Sequence, residues 1–392
     1  MIAVASTAYG SIDRRHQLDD SVRLLTQGWS VCSTPAGEFS SPSALESSDP
    51  EWIPAAIPGT VAGALRDVGE LDWDHPPPLD DQDHWFRLAL KRPSDSYQAA
   101  ALELDGIATL GRVWLGDEHL GDTKNMFVGH RLDLTSALAR SESNKPWLYI
   151  CCRSMTRALA QPRSRARWRT RLVSHRSLRY LRTSLLGRMP GICPAIPVVG
   201  PWRDVRLRTD SPLVVDALRI VPEVVAGQGK VRVSARCRVP GELRDTLRAF
   251  LDVGQVTSTL HLRPVEDGLE FSGTLEIDRP RLWWPHTHGD PHRYGATLRL
   301  ETDTQEHRVA LAPIGFRTIE IDEPGGAFDV RVNGVKIFCR GACWTPADFL
   351  SQAPSSSELR RAFENLQDAG MNMLRVPGTT IYEQEAFYEL CD

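Results

Sequence analysis

The chain has 392 residues, of which 41% are hydrophobic and 24% charged, with a formal net charge of −4; at about 100–200 residues per domain this is the length and composition of a folded protein with two or three domains. Disorder over the whole length is excluded, because there is ample apolar surface to offset chain entropy, and no apolar run approaches the roughly 18 residues of a membrane-spanning helix. So small a net charge does not by itself argue for a nucleic-acid partner.

The segment Met1–Gly10 lacks a basic leader and its apolar core is too short for a signal peptide, so a cytoplasmic location is expected. The first half then reads as β structure. Trp85–Leu90 has an aromatic start and partial alternation, Ala101–Asp105 alternates as a half-buried strand should, and Trp147–Cys152 is a buried-type strand. Val113–Leu120 predicts a hairpin turning at Gly116-Asp117, and Ser40–Pro50 predicts a surface loop. From Pro212 to about Pro313 six or seven short strands are expected: Leu213–Val221, Val231–Val239, Leu247–Val253, Leu269–Ile277, Ala296–Glu301 and Val309–Ala312 lead. That density suits an immunoglobulin-like sandwich.

The character changes after Val330. Val330–Phe338 is a strand, an Asn333-Gly334 type I′ turn and a second strand. Ser355 and Glu358 have the spacing of a capping box, Leu359, Phe363 and Leu366 a helical apolar face, and Gly370 the place of a C-terminal glycine. Met371–Val376 predicts a buried strand and Tyr382–Leu390 the start of another helix. Strand, helix, strand, helix is a parallel α/β unit, and two such strands alone would leave open edges, so the chain is expected to stop inside a domain.

Several motifs in this order resemble those of glycoside hydrolase family 2, closest to its β-mannosidase branch. They are Ile57–Gly63, His84–Arg87, Leu104–Thr109 with Val113–Leu115 and Asn125–Phe127, Val199–Arg203, Leu282–Pro285, Ile314–Arg317, Val332–Gly334, Phe338–Trp344, Leu374–Gly378, Tyr382-Glu383 and Phe387–Asp392. The resemblance implies a mainly β chain. A jelly-roll-like sugar-binding sandwich would occupy residues 1–211 and an immunoglobulin-like β-sandwich 212–313, with the first strands and helices of an incomplete (β/α)8 barrel over 314–392. It also implies retaining hydrolysis of terminal β-linked sugars, which needs an acid/base and a nucleophilic carboxylate about 5–5.5 Å apart. In the family both are glutamates on later barrel strands, and this sequence has no Asn-Glu dipeptide, so no catalytic residue is assigned and the chain alone is expected to be inactive.

Three substrate-binding candidates follow from the resemblance. Arg375 ends the second barrel strand, where a permanently charged fork of donors suits a neighbouring carboxylate; its plain alternative is an inward arginine without a partner. Trp344 is either a stacking floor for a sugar or a core tryptophan. Asp348 is a support for its loop or a helix-approach turn. One departure bears on specificity: in the β-mannosidases that the chain resembles, a "GWDWGP" segment supplies a sugar-contacting aspartate, whereas Gly187–Pro194 holds neither acid nor tryptophan.

Twelve arginines and no acid lie between Cys151 and Arg203, so with −4 overall the remainder carries −16. A basic rim for an anionic saccharide, or pairing with the acidic remainder, is expected rather than nucleic-acid binding, because only Trp168 and Tyr180 interleave. The eight cysteines include no C-x-x-C pair, and His286, His288, Asp290 and His292 read as a surface loop rather than metal ligands. A carbohydrate is thus the expected partner, with no cofactor, metal, nucleic acid or membrane. The alternative function is a non-catalytic carbohydrate-binding β-sandwich protein.

Overall fold

In the computed structural model, residues 2–3, 22–93, 97, 99–162, 164, 170–209, 213–266, 268–326 and 328–392 are described. Two antiparallel sheets share the first core. One has the spatial order Ile53–Ala55, Trp29–Pro35, Gln82–Ala89, Trp147–Cys152, Gly111–Leu115, Glu118–Thr123; the other Val22–Leu24, Val205–Thr209, Ala100–Leu104, His130–Asp133. Phe86, Leu88, Val113, Leu148 and Ile150 of the first sheet meet Leu102, Leu104, Val205 and Leu207 of the second. The opposite face of the larger sheet is covered too, by Trp85, Trp114, Tyr149, Cys32 and Cys151 packed with Leu45. Ser40–Pro50 is therefore no plain loop. It carries the helix Pro42–Glu46, whose N-cap Ser41 accepts from the Ala44 N–H and whose Leu45 closes that outer face.

The hairpin at Gly116-Asp117 forms as expected, and of its two turn residues only Gly116 has a positive φ, 57°. Ala100–Leu104 departs from the half-buried reading, since every residue in it is buried. Glu103, the polar member of the alternation, is 4% exposed and accepts from Arg208 Nε at 2.6 Å. Burial works to raise its carboxyl, but Arg208, Arg206 and Arg131 outweigh that and hold it below the usual range.

The second sandwich pairs Val214–Val225, Gln228–Arg238, Gly268–Asp278 and His261–Val265 in one sheet, and Val256–Thr259, Arg248–Val253, Tyr294–Glu301 and Glu306–Ile314 in the other. All six strands expected from the sequence are present with bounds shifted by a few residues. The two strands not foreseen, Val256–Thr259 and His261–Val265, are short and polar, and the chain changes sheets between them at buried Leu260. Along Gln228–Arg238 the inward side chains alternate strictly, Val231, Val233, Ala235 and Cys237 facing the core, as an antiparallel sheet with one wet face requires.

Ile319–Asp322, Asp329–Val332 and Val335–Ile337 then form an antiparallel meander. Its second turn has φ of 51° at Asn333 and 78° at Gly334, the type I′ geometry that these two residues tolerate. Only after it do two parallel strands follow, Gly341–Cys343 beside Met373–Arg375, joined through the helix Ser356–Asp368. Ile2–Ala3 pairs in parallel with the other edge of Met373–Arg375. The capping box at Ser355 and Glu358 is complete and Gly370 has a φ of 68°. The last helix is Glu385–Cys391, starting three residues later than the expected Tyr382.

Candidate functional site

The ends of the parallel strands and the loops that leave them bring together the residues singled out in the sequence. Cys343 faces Arg375 across the strand pair, and the Trp344 N–H donates to the Arg375 carbonyl at 2.8 Å. Arg375 projects an exposed side chain whose Nη1 lies 3.6 Å from the Cys343 sulfur. It is thus presented at the strand end rather than turned into a core, and it meets no carboxylate among the described residues.

Trp344 is 8% exposed and packs against Phe363 and Phe387, with ring centroids 5.9 and 5.0 Å away. Its ring is largely buried in this small core. Its indole N–H donates to Glu383 Oε1 at 2.8 Å. Glu383 is itself 6% exposed, and burial pushes its carboxyl up, against the Trp344 N–H and the charge of Arg203. Arg203 closes this group from the first sandwich: its Nη2 donates to the Tyr382 carbonyl at 2.9 Å and its guanidinium lies 4.4 Å above the Trp202 ring. Tyr382, 64% exposed, meets Phe127 edge-on at 6.0 Å.

Asp348 belongs to a different group. Its Oδ1 accepts from the N–H groups of Leu350 (2.9 Å) and Ser351 (3.1 Å), and Oδ2 accepts from Arg66 Nη1 at 2.8 Å and from the Ser351 hydroxyl. Burial acts to raise this carboxyl, but those donors hold it below its ordinary value. Both readings of Asp348 thus describe one thing: it folds its own loop and fastens it to the helix Val61–Asp67 of the first sandwich. Thr60, that helix's N-cap, also donates to the Leu350 carbonyl. Among the described residues no hydrogen bond or ion pair joins Asp348 to Arg375.

Arg66, Arg203, Tyr382 and Glu383 were given no role from sequence. Arg203 and the Tyr382-Glu383 pair were visible as motifs, but nothing local shows that residues about 180 positions apart meet. Gly187–Pro194 also acquires a definite arrangement. Arg188, 2% exposed, turns inward and grips Asp80 through Nε (2.8 Å) and Nη2 (2.6 Å). Gly187 has a φ of 76°, and a Cβ there would lie 2.3 Å from the Ile196 backbone. Just before this segment, the Leu185 N–H donates to the Thr379 carbonyl of the strand-end loop at 3.0 Å. In the histidine loop, His286 Nε2 is bonded to the Met371 carbonyl at 2.8 Å, and no metal-ligating cluster of three or more groups occurs among the described residues.

Residues 39–203 match the family model described as "Glycosyl hydrolase 2 galactose-binding domain-like", and residues 214–317 match "Glycosyl hydrolases family 2". The β-mannosidase B of Emericella nidulans is 28% identical over 401 residues, covering 94% of this chain and 44% of that protein. The β-mannosidase B of Aspergillus terreus is 28% identical over 375 residues, covering 89% and 43%. The chain therefore spans less than half the length of these relatives. Among solved structures, the β-D-mannosidase of Dictyoglomus thermophilum superimposes with a TM-score of 0.76 at 20% identity, covering 94% of this chain and 46% of that one. A β-glucuronidase of Parabacteroides merdae gives 0.65 at 18%, covering 94% and 45%; at such identities the likeness is one of fold.

Proposed function

The chain belongs to glycoside hydrolase family 2, and from that premise we propose that it is the substrate-framing, N-terminal part of a β-mannosidase-like enzyme acting on terminal β-linked sugars with retention of configuration. The observation that carries this reading is the junction at the parallel strand ends, where Arg375 is presented beside a loop system fastened to the first sandwich by Arg203 and Arg66. The parallel unit is the start of the barrel, whose substrates bind at the C-terminal ends of its strands. Arg375 orients and holds ionised a carboxylate supplied by a later strand. Trp344 and Glu383 fix the end of the first strand, and the exposed ring of Tyr382 offers a stacking face.

Retaining hydrolysis needs two carboxylates free to act about 5–5.5 Å apart. Asp348 is committed to Arg66 and Ser351, and Glu383 to Trp344, so the chemistry is assigned to residues beyond these. Purified chain incubated with 4-nitrophenyl β-mannoside is expected to release no nitrophenol above background. Turnover at about 1 per second or faster, an ordinary enzymatic rate, would overturn that assignment. The second reading, carbohydrate binding without hydrolysis, is favoured by the inward Arg188, which stands in a segment where the family pattern presents a sugar-contacting acid. The complete gene product decides between them: release from the β-mannoside in preference to a β-glucuronide supports the first, and no release from either supports the second.

A further inference from the structure

The structure sorts the arginines of the acid-free stretch by what they touch. Arg188, buried, and Arg153, partly buried, pair with Asp80 at 2.6 Å and Asp83 at 3.0 Å, and Arg157, Arg179 and Arg203 donate to the carbonyls of Ala36, Arg176 and Tyr382. Arg163, Arg165, Arg167 and Arg169 lie outside the described residues. Arg171, Arg176 and Arg182 are exposed, and no carboxylate among the described residues pairs with any of them. Their uncompensated charge is concentrated on one short segment, while the chain apart from the twelve arginines is strongly acidic.

That segment is also concave. His175, Arg176, Ser177, Arg179 and Tyr180 form one half of the lining of a cavity of about 300 Å³, the rest coming from Leu159–Pro162 and Ser164; this is the lower end of the size range of small-ligand sites. Guanidinium, imidazole and hydroxyl groups together match a carboxylate set among sugar hydroxyls. The segment leads into the candidate site. The Arg182 carbonyl accepts from the Met126 N–H at 3.0 Å, and three residues on Leu185 bonds Thr379 of the strand-end loop. Three residues span at most about 11 Å, so Arg182 stands close beside the place where a terminal sugar would enter.

We propose that the face Arg171–Arg182 is an anion subsite, and that the saccharide this chain takes is a β-linked oligosaccharide carrying carboxylates. Its charged units lie over His175–Arg182 while its terminal unit reaches Arg375. The proposal rests on the function proposed above and narrows its substrate class. A nucleic acid fits the face less well. Single strands need successive aromatic platforms, whereas the described face offers Tyr180, whose hydroxyl is tied to the Ser164 carbonyl. A long polyanion would also run onto the acidic remainder, which a short oligosaccharide avoids.

Calorimetric titration of the chain with a β-1,4-linked mannuronate tetramer and with neutral β-1,4-mannotetraose tests this, because the two ligands share linkage and ring configuration and differ in the carboxylates. The acidic tetramer is expected to bind at least about tenfold more tightly at low salt, with the advantage shrinking as salt is raised. Arg176→Glu combined with Arg182→Glu is expected to abolish the advantage while leaving mannotetraose binding and the thermal transition unchanged. Should that reversal disturb folding, Arg176→Gln with Arg182→Gln is expected to reduce the same advantage. Equal affinity for the two tetramers, or an advantage that survives these substitutions, overturns the anion subsite and leaves the β-mannosidase-like reading standing. Single-stranded DNA binding as tightly as the mannuronate overturns it in favour of general polyanion attraction. Binding of neither saccharide overturns the anion subsite, while the β-mannosidase-like reading stands or falls separately on β-mannoside hydrolysis.

Discussion

In the first sandwich the strand Gln82–Ala89 is covered on both sides, by Phe86 and Leu88 against the facing sheet and by Trp85 stacked 5.2 Å from Trp114 beneath the helix Pro42–Glu46. Its polar members are closed into pairs as well: Arg87 lies 3.9 Å above the Trp52 ring and 2.7 Å from Glu46. In the parallel unit, Met373–Arg375 buries Leu374 and leaves Arg375 exposed, and the core around it rests on Trp344, Leu359, Phe363 and Phe387. Around this strand the sandwich covers both sheet faces and pairs its buried charges internally, which suits a rigid frame. The parallel unit borrows its fastening from the sandwich and spends its strand ends on presentation, so a substitution in the frame will act globally and one in the unit locally.

The largest expected effect lies in the frame. Arg208→Ala removes the nearest partner of the buried Glu103 carboxylate and leaves it to Arg206, and breaking such a buried pair costs up to about 3–5 kcal/mol; a denaturant midpoint unchanged from the wild type would break the contrast. Next, Ser355→Ala removes the cap of Ser356–Asp368 at a cost of about 1 kcal/mol. Hydrogen exchange is expected to quicken in that helix and to stay unchanged in Gln82–Ala89, and equal quickening in both would show a single cooperative unit. The smallest effect concerns Glu383. Burial raises its carboxyl in the folded state, so the proton is held more tightly there than in the unfolded chain. The stability it contributes is complete below the ordinary glutamate range and is lost as pH rises through the folded value. Glu383→Gln keeps an acceptor for Trp344 but does not titrate, so thermal melts from acid to neutral pH should show the variant gaining on the wild type as pH rises.

Elements that announce themselves by local chemistry were legible: the Ser355 capping box, the Asn333-Gly334 turn and the alternating strands of the second sandwich. Where the reading failed, the deciding contact came from a distant part of the chain. Trp85–Leu90 alternates only partly because both of its faces are buried, and Glu103 reads as a solvent-facing residue until Arg208 is brought beside it. At the candidate site, the position of Arg375 at a strand end could be read from the parallel unit. The packing of Trp344 depends on Phe363 and Phe387 arriving from two helices, and the place of Asp348 on Arg66 from the first sandwich, contacts that no local pattern announces.

The bond from Arg66 to Asp348 spans 282 positions, and that from Thr60 to Leu350 spans 290. On a ribosome, which releases about 5–20 residues per second, the helix Val61–Asp67 leaves the tunnel many seconds before its partner loop. Closing so long a loop in a free coil is entropically costly and slow. If both sandwiches are already folded when Asp348 emerges, they bring the helix near and reduce the search to a short tether. The order of synthesis thus turns the most non-local contacts of the site into nearly local ones.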